Sequence, residues 1–281
     1  MYRNIILVLS VLLLTTQVIA REIIYPNQSG IGDKSLGYAA LKLALKKSES
    51  DFNVKIDSRM ATPNRVIYML ESGQIDVIDG GYSTDAAKRL ELIYLPIDMG
   101  LSGWRIFITL PSVAKQLRSV SSINDLKSYS FGQGQGWYDV KVLEAAGLDV
   151  ITPPKLINLF GMVNSQRFDL LPLGSNEVYE LLRRFNDSNN HLIVDNNLTL
   201  VYPFGRFFYV RKADLELKQA IEVGLNNALS DGSLLSLLKS HPLSRDAFNK
   251  ANLKSRTRID IETPNLSDEF KAIDPKWWYS P

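Results

Sequence analysis

Strands and helices alternate along the first part of the chain, and this alternation constrains the fold more than any other feature. Short β-branched or alternating runs at 22–25, 52–56 and 75–79 are typical of strands. Between them, residues 36–47 and 63–73 carry apolar side chains at helical spacing. Strand, helix, strand, helix and strand within about sixty residues predict parallel βαβ units and an α/β lobe.

A second α/β series begins with a strong strand at 103–108. Strand-like and helical segments then alternate at 150–151, 158–164, 168–173, 175–185, 201–210, 214–229 and 232–239. About 260 residues are left once the first twenty are set aside, which is enough for two lobes of ordinary size.

Residues 1–20 have the pattern of a secretory signal peptide. Arg3 supplies a positive charge, an apolar run follows at 5–14, and Val18, Ile19 and Ala20 suit a cleavage site. The run is short for a membrane span, and an N-terminal anchor is the alternative interpretation. Because the chain has no cysteine, neither a lipid anchor nor a disulfide is available. We therefore predict a soluble periplasmic monomer.

The charge and the histidine content argue against several classes of function. The whole chain carries a net charge of +2. It falls to about +1 when Arg3 leaves with the signal peptide, which has no acidic residue. This balance, with no run of like charges, predicts neither a nucleic acid partner nor an anionic membrane surface. His191 and His241 are the only histidines, in polar or proline-flanked contexts, so we predict no metal and no cofactor.

A glycine-rich run at 131–139 (FGQGQGWYD) stands between a short strand and a helix. Such a turn can bring backbone N–H groups and side chains against a ligand. The run does not fit a dinucleotide fingerprint, because Trp137 occupies the third glycine position, and no Gly-Lys follows as in a P-loop. It predicts ligand contacts by Gln133, Gln135 and Trp137, whose amide groups suit a polar neutral or zwitterionic solute. The alternative is a tight turn with no ligand role.

Six short segments occur in an order and spacing that together form a recognisable pattern. They are IIY at 23–25, LESGQIDV at 70–77, TD at 84–85, SINDLK at 122–127, RKAD at 211–214 and LSDGS at 229–233. The pattern resembles the type II periplasmic binding proteins, and in particular a divergent branch of bacterial extracellular solute-binding protein family 3. The resemblance covers nearly the whole mature chain.

This resemblance implies two α/β lobes that are joined by two hinge strands and close over a small ligand. The hinges are expected near 104–110 and 200–206. Lobe 1 would comprise 21–104 plus 206–245, and lobe 2 would comprise 105–205. Residues 246–281 would pack on lobe 1, and the terminal Trp277, Trp278 and Tyr279 would either lock onto the protein or dock a membrane partner.

The sequence departs from the pattern of amino-acid binders at two positions. Members of the family usually carry an arginine just after the Thr-Asp step, for the ligand carboxylate, and here Ala86 and Ala87 follow. Gly174 stands about where an aspartate is expected for the ligand ammonium group. Both charges of an α-amino acid normally need such partners. The sequence therefore predicts a small polar solute without specifying an amino acid.

Six further side chains are candidate ligand contacts because of where they fall. Tyr25, Tyr82 and Ser83 end strands on the side where α/β sheets place ligands. Trp104 and Arg105 lie at the first expected hinge, facing opposite ways because they are strand neighbours. Glu177 begins a predicted helix and could bind a cation or only stabilise the helix N-terminus.

The predicted function is non-catalytic binding of a small polar solute, for delivery to an ABC-type importer or a membrane sensor. An enzyme on the same scaffold, such as a dehydratase or a lytic transglycosylase-like protein, is the first alternative. Asp139 or Glu177 would then be the acid, although no nucleophile–histidine pair or metal cluster accompanies them. An interaction module without a ligand is the second alternative.

Overall fold

The computed structural model describes residues 20–28, 31–186 and 191–281. The predicted signal peptide, apart from residue 20, lies outside the described residues. The strands are β1 (Arg21–Gln28), β2 (Phe52–Ala61), β3 (Val77–Gly81), β4 (Glu91–Ile93), β5 (Trp104–Thr109), β6 (Ser130–Gly132), β7 (Asp149–Ile151), β8 (Leu171–Gly174), β9 (Ile193–Val194), β10 (Leu198–Val201), β11 (Arg206–Val210) and β12 (Thr257–Asp260).

The helices alternate with these strands in the first two thirds of the chain and dominate its last third. They are α1 (Leu36–Lys47), α2 (Pro63–Glu71), α3 (Thr84–Arg89), α4 (Pro111–Gln116), α5 (Ile123–Leu126), α6 (Tyr138–Ala145), α7 (Leu156–Asn164), α8 (Val178–Phe185), α9 (Leu215–Ser230), α10 (Ser233–Ser240), α11 (Arg245–Asn249) and α12 (Asp268–Lys271). Helix α1 coincides with its predicted range, and Ser35 caps it by accepting a hydrogen bond from the Tyr38 N–H.

The first lobe is built on β1 to β4 with β11. β1 and β2 pair in parallel, as the βαβ pattern predicts. β11 runs antiparallel between β3 and β4. Asp76 joins β1 to β3, because its N–H donates to the Ile24 carbonyl and its carboxylate accepts from the Ile24 N–H. Helices α1 and α9 cover one face and approach closely, since a side chain at Gly224 would collide with the α1 backbone.

The second lobe is built on a sheet in which β5 lies between β8 and β10, with β12 on the far side of β10. β9 also pairs with β5. β6 and β7 form a parallel pair, and a bridge between Phe131 and Leu170 connects this pair to the segment that enters β8. The glycine-rich run therefore starts at the end of a strand, as predicted.

The chain crosses between the two sheets over residues 94–103 and again over 202–205. The strand predicted at 201–210 is therefore two strands in different sheets, because Pro203 has no N–H with which to continue a ladder. Most of the segment expected as the first hinge, 104–110, is instead β5 inside the second sheet. The place at which the molecule bends stays a prediction.

Asp98 ties the two crossing segments together. Its side chain is fully buried. The carboxylate accepts hydrogen bonds from the N–H groups of Gly100 and Ser102 in its own segment, at 3.1 and 3.0 Å. It also accepts from the N–H of Arg206 at 3.0 Å, where the second segment enters β11. One side chain thus joins the first crossing segment to the start of β11.

The C-terminal extension contacts both lobes rather than lobe 1 alone. β12 pairs in parallel with β10 of the second sheet. Farther along, Phe270 packs in the first lobe against the ring of Tyr82, with centroids 4.6 Å apart. Trp278 lies over Gly100, where an added Cβ would come within 2.3 Å of its ring. The terminal aromatic residues therefore pack on the chain itself.

Candidate functional site

A cavity of about 580 Å³ opens between the two sheets. Its first-lobe wall comes from the C-terminal end of β3 and the start of β11, because these neighbouring strands expose their polar ends at the same edge. Its second-lobe wall comes from β5, from the segment that leads into α6, and from the residue before α8. A cavity of this size is in the range of small-molecule sites.

Asp79 and Arg206 form an ion pair on the first-lobe wall. The Arg206 Nε donates to Asp79 Oδ2 at 2.9 Å, and its Nη2 donates to the same oxygen. The Tyr25 hydroxyl donates to the other Asp79 oxygen from behind the wall. Burial disfavours the charge of Arg206, but the adjacent Asp79 carboxylate more than compensates, so the pKa of Arg206 is raised. The Arg206 side chain is 34% exposed, and Arg206 lines the cavity.

Arg105 is the cation of the second-lobe wall and is almost fully buried. Its Nη2 donates to Asp139 Oδ1, which also accepts from the Tyr202 hydroxyl at 2.6 Å. The guanidinium lies over the rings of Tyr202 and Phe204, at 5.5 and 5.2 Å from their centroids. Burial disfavours its charge, but Asp139 outweighs this effect with help from Tyr202, so the pKa of Arg105 is raised. Its Nε has no partner among the described residues.

Glu177 completes the charged set on the second-lobe wall. One of its oxygens accepts a hydrogen bond from the Gly174 N–H at 3.2 Å and lies 3.8 Å from Arg105 Nη1. The side chain is 32% exposed, and it lies at the N-terminus of α8, where the helix dipole favours a negative charge. Glu177 therefore presents a carboxylate oxygen to the cavity.

The glycines of the run at 131–139 make room for aromatic rings. A Cβ on Gly132 would come within 2.1 Å of the Phe168 ring, and a Cβ on Gly134 within 2.3 Å of the Trp137 indole. The run thus allows Trp137 to fold back over its own backbone and form part of the cavity wall. The positive φ of Gly136, 79°, completes the turn into α6.

Four of the predicted ligand contacts line the cavity, namely Ser83, Arg105, Trp137 and Glu177. Ser83 also caps α3 by accepting a hydrogen bond from the Ala86 N–H. Their contact with a ligand stays a prediction.

The other five predicted contacts lie elsewhere in the structure. Tyr25 stands behind Asp79, and Tyr82 is buried in the first-lobe core, where its hydroxyl accepts from the Ser267 N–H. Gln133 is fully buried and donates to the Pro172 carbonyl. Trp104 lies under the Arg258 guanidinium, on the opposite face of β5 from Arg105. Gln135 is exposed outside the cavity wall.

Sequence reasoning did not select Asp79, Arg206 or Phe204 as site residues. Asp79 and Arg206 are 127 positions apart and meet only because β11 inserts beside β3. The sequence suggests Asp139 only as a possible acid, whereas in the structure its carboxylate accepts hydrogen bonds from Arg105 and Tyr202. Asp79 could have been selected from the sequence, because it is an aspartate at the end of a predicted buried strand.

Within the described residues, no helix is long and apolar enough to cross a membrane. In the same part of the chain, no group of three or more His, Cys, Asp or Glu residues is arranged to hold a metal ion.

Solved structures with similar folds were found, although no protein-family profile and no curated protein sequence matches the chain. A mutant of ArgBP from T. maritima is similar at 16% identity and a TM-score of 0.56, with 78% of this chain and 94% of that chain covered. A periplasmic His/Glu/Gln/Arg/opine family-binding protein from Silicibacter pomeroyi, in complex with lysine, is similar at 12% identity and a TM-score of 0.57, with 80% of this chain and 98% of that chain covered. A histidine kinase sensor domain with similarity to periplasmic binding proteins is similar at 12% identity and a TM-score of 0.57, with 80% of this chain and 97% of that chain covered.

The chain therefore has the two-lobed α/β fold of periplasmic binding proteins, and the predicted fold class is confirmed. At these identities the likeness establishes the fold and leaves the ligand open.

Proposed function

We propose that this chain is an exported solute-binding protein that holds a small polar solute in the cavity between its two lobes. The observation that carries the proposal is the convergence of charged groups from both sheets on one cavity. Arg206 approaches it from lobe 1 and Glu177 from lobe 2, and each keeps about a third of its side chain exposed. A solute that lies between these two walls would contact both lobes and favour closure.

The lobes of this proposal are 21–104 plus 206–245 and 105–205. The extension 246–281 contacts both of them through β12 and α12. The bound solute would be delivered to an ABC-type importer or reported to a membrane sensor from the periplasm. Binding is proposed rather than catalysis by Asp139, because Arg105 and Tyr202 hold the Asp139 carboxylate in hydrogen bonds instead of leaving it free to transfer a proton.

The test is a thermal-shift screen of the mature chain against amino acids, polyamines, organic acids and short peptides, together with native mass spectrometry of the purified protein. A solute at one hundred times its Kd should stabilise the protein by about 2.7 kcal/mol. For a chain of this length that is a rise in Tm of roughly 5–10 °C. No shift with any solute, and no bound mass, would contradict the proposal.

A pair of tryptophan variants places the binding in the cavity. Val140 lines it, so V140W should fill part of the space and abolish the shift. Val223 is exposed on α9, away from the cavity wall, so V223W should preserve the shift. A shift that survives V140W would mean that the solute binds elsewhere.

A further inference from the structure

The charges of the cavity lining are unbalanced. Five of the lining residues are acidic, namely Asp79, Asp85, Asp139, Glu144 and Glu177, and three are basic, namely Arg105, Lys141 and Arg206. Two carboxylates are therefore in excess. In a partly enclosed space such an excess raises the local concentration of positively charged solutes and repels negatively charged ones.

Both arginines are already engaged by acidic residues of the protein. Asp139 holds Arg105, and Asp79 holds Arg206, in each case through direct hydrogen bonds between the charged groups. A ligand carboxylate could bind these arginines only as a second anion beside the existing one, and like charges at such close range repel.

Glu177 is a partly exposed carboxylate of the lining that raises the pKa values of both Arg105 and Arg206, although neither arginine donates a hydrogen bond to it. Its closest cation, Arg105 Nη1, lies 3.8 Å away and belongs to the Asp139 pair. The oxygen that is not bonded to the Gly174 N–H is left for a ligand donor. An ammonium or guanidinium group of a ligand would form a charge-assisted hydrogen bond there.

Aromatic side chains of the same cavity also bear on the ligand. Trp137, Tyr138 and Phe204 line the cavity. Tyr138 and Phe204 lie nearly parallel, with an interplanar angle of 17° and centroids 6.3 Å apart. Arg105 and Lys141 already lie over the faces of Phe204 and Tyr138. Of the three rings, Trp137 can therefore cover the apolar carbon chain of an organic amine. A solute of small size with a charged end and an apolar body fits these walls.

We propose that the cavity selects an organic cation, an amine or a guanidine on a short carbon chain, that carries no carboxylate. The proposal rests on the solute-binding function above and narrows it to one class of ligand. Glu177 binds the charged end, and the two arginine–aspartate pairs set the shape and charge of the walls without binding an anion.

Two pairs of compounds that differ by one carboxylate test this selection: agmatine against arginine, and cadaverine against lysine. Isothermal titration of the mature chain should give at least about tenfold tighter binding for the decarboxylated member of a pair. Equal or tighter binding of the amino acids would overturn the proposal, because it would mean that an arginine grips the carboxylate. Binding of neither pair, with a neutral or anionic solute bound instead, would also overturn it while leaving the solute-binding function intact.

Glu177 variants test the assigned carboxylate. E177Q should weaken binding of the amine about tenfold or more, because a charge-assisted hydrogen bond becomes a neutral one. E180Q removes a negative charge from the first turn of α8, outside the cavity wall. It should change the affinity by less than about threefold. Circular dichroism and the Tm without ligand show whether E177Q is folded, and E177A replaces it if it is not. Unchanged amine affinity in a folded Glu177 variant would overturn the assignment. Failure of all solutes to bind would remove the function and the selection together.

Discussion

Replacing Asp98 by asparagine should weaken the connection between the lobes without changing the volume of the side chain. The Asp98 carboxylate accepts three N–H groups, from Gly100, Ser102 and Arg206, at 3.0–3.1 Å, and it is fully buried. An asparagine can accept on one side only. Its NH2 group would face at least one N–H donor, and that donor would lose its partner.

The size of the effect follows from these bonds. Hydrogen bonds to a charged group contribute about 1.5–3 kcal/mol each, and those to a neutral group about 1 kcal/mol. In D98N one bond is lost and the others weaken, whereas removing a buried charge recovers part of its desolvation cost. We expect a net loss of about 2–4 kcal/mol in the free energy of unfolding, a large part of the roughly 5–15 kcal/mol typical of a folded protein.

Urea unfolding of the mature chain, followed by tryptophan fluorescence and by circular dichroism, measures this loss. Asp149 is exposed at the start of β7, so D149N is the matched control and should stay within about 0.5 kcal/mol of the parent protein. A loss below about 1 kcal/mol in D98N would refute the reasoning. It would show that Asp98 does not carry the connection between the crossing segments.

Three further predictions follow from packing and charge. F270A should cost about 3–5 kcal/mol in urea unfolding, because it removes a buried ring that joins the C-terminal extension to lobe 1. G134A should displace the Trp137 ring, which would meet the new methyl group at 2.3 Å, and should change its fluorescence while costing about 1–3 kcal/mol. The hydrogen bond from Lys47, with help from Ser233, lowers the pKa of Asp231 to about 2. The ionised Asp231 therefore stabilises the protein above pH 3.8, and this contribution is lost as the pH falls towards 2. D231N should flatten the pH dependence of stability between these two pH values.

Each of these predictions has a matched control. V223A changes a side chain that is 44% exposed and should have little effect on stability, in contrast to F270A. Gly161 lies within α7 with open space around its Cβ position, so G161A should stabilise the protein by up to about 1 kcal/mol, with the opposite sign to G134A. D149N should leave the acid dependence unchanged. Equal effects in a variant and its control would contradict the corresponding prediction.

Much of the local structure could be predicted from the sequence. Helix α1 has its predicted bounds, and α9 begins and ends one residue later than predicted. The error at 201–210 has a physical cause, since β-forming residues flank Pro203 and a local pattern cannot show that the chain changes sheets there. The C-terminal extension was predicted to contact lobe 1 alone, but its strand β12 also pairs with β10 of the second sheet. A local pattern cannot indicate that pairing, because β10 lies far away along the chain.

The candidate site also contains some residues that the sequence could indicate and some that only the tertiary structure brings together. Arg105, Trp137 and Glu177 could be selected from the sequence because a strand, a glycine-rich turn and a helix start put them at the edge of a sheet. The ion pair of Asp79 with Arg206 and the pair of Arg105 with Asp139 join residues 127 and 34 positions apart. Strand and helix patterns arise from local spacing and backbone bonding, so the sequence alone determines the α/β elements and their order. The pairing of charges, and therefore the net charge that a ligand meets, depends on which strands lie side by side, and only the tertiary structure decides that.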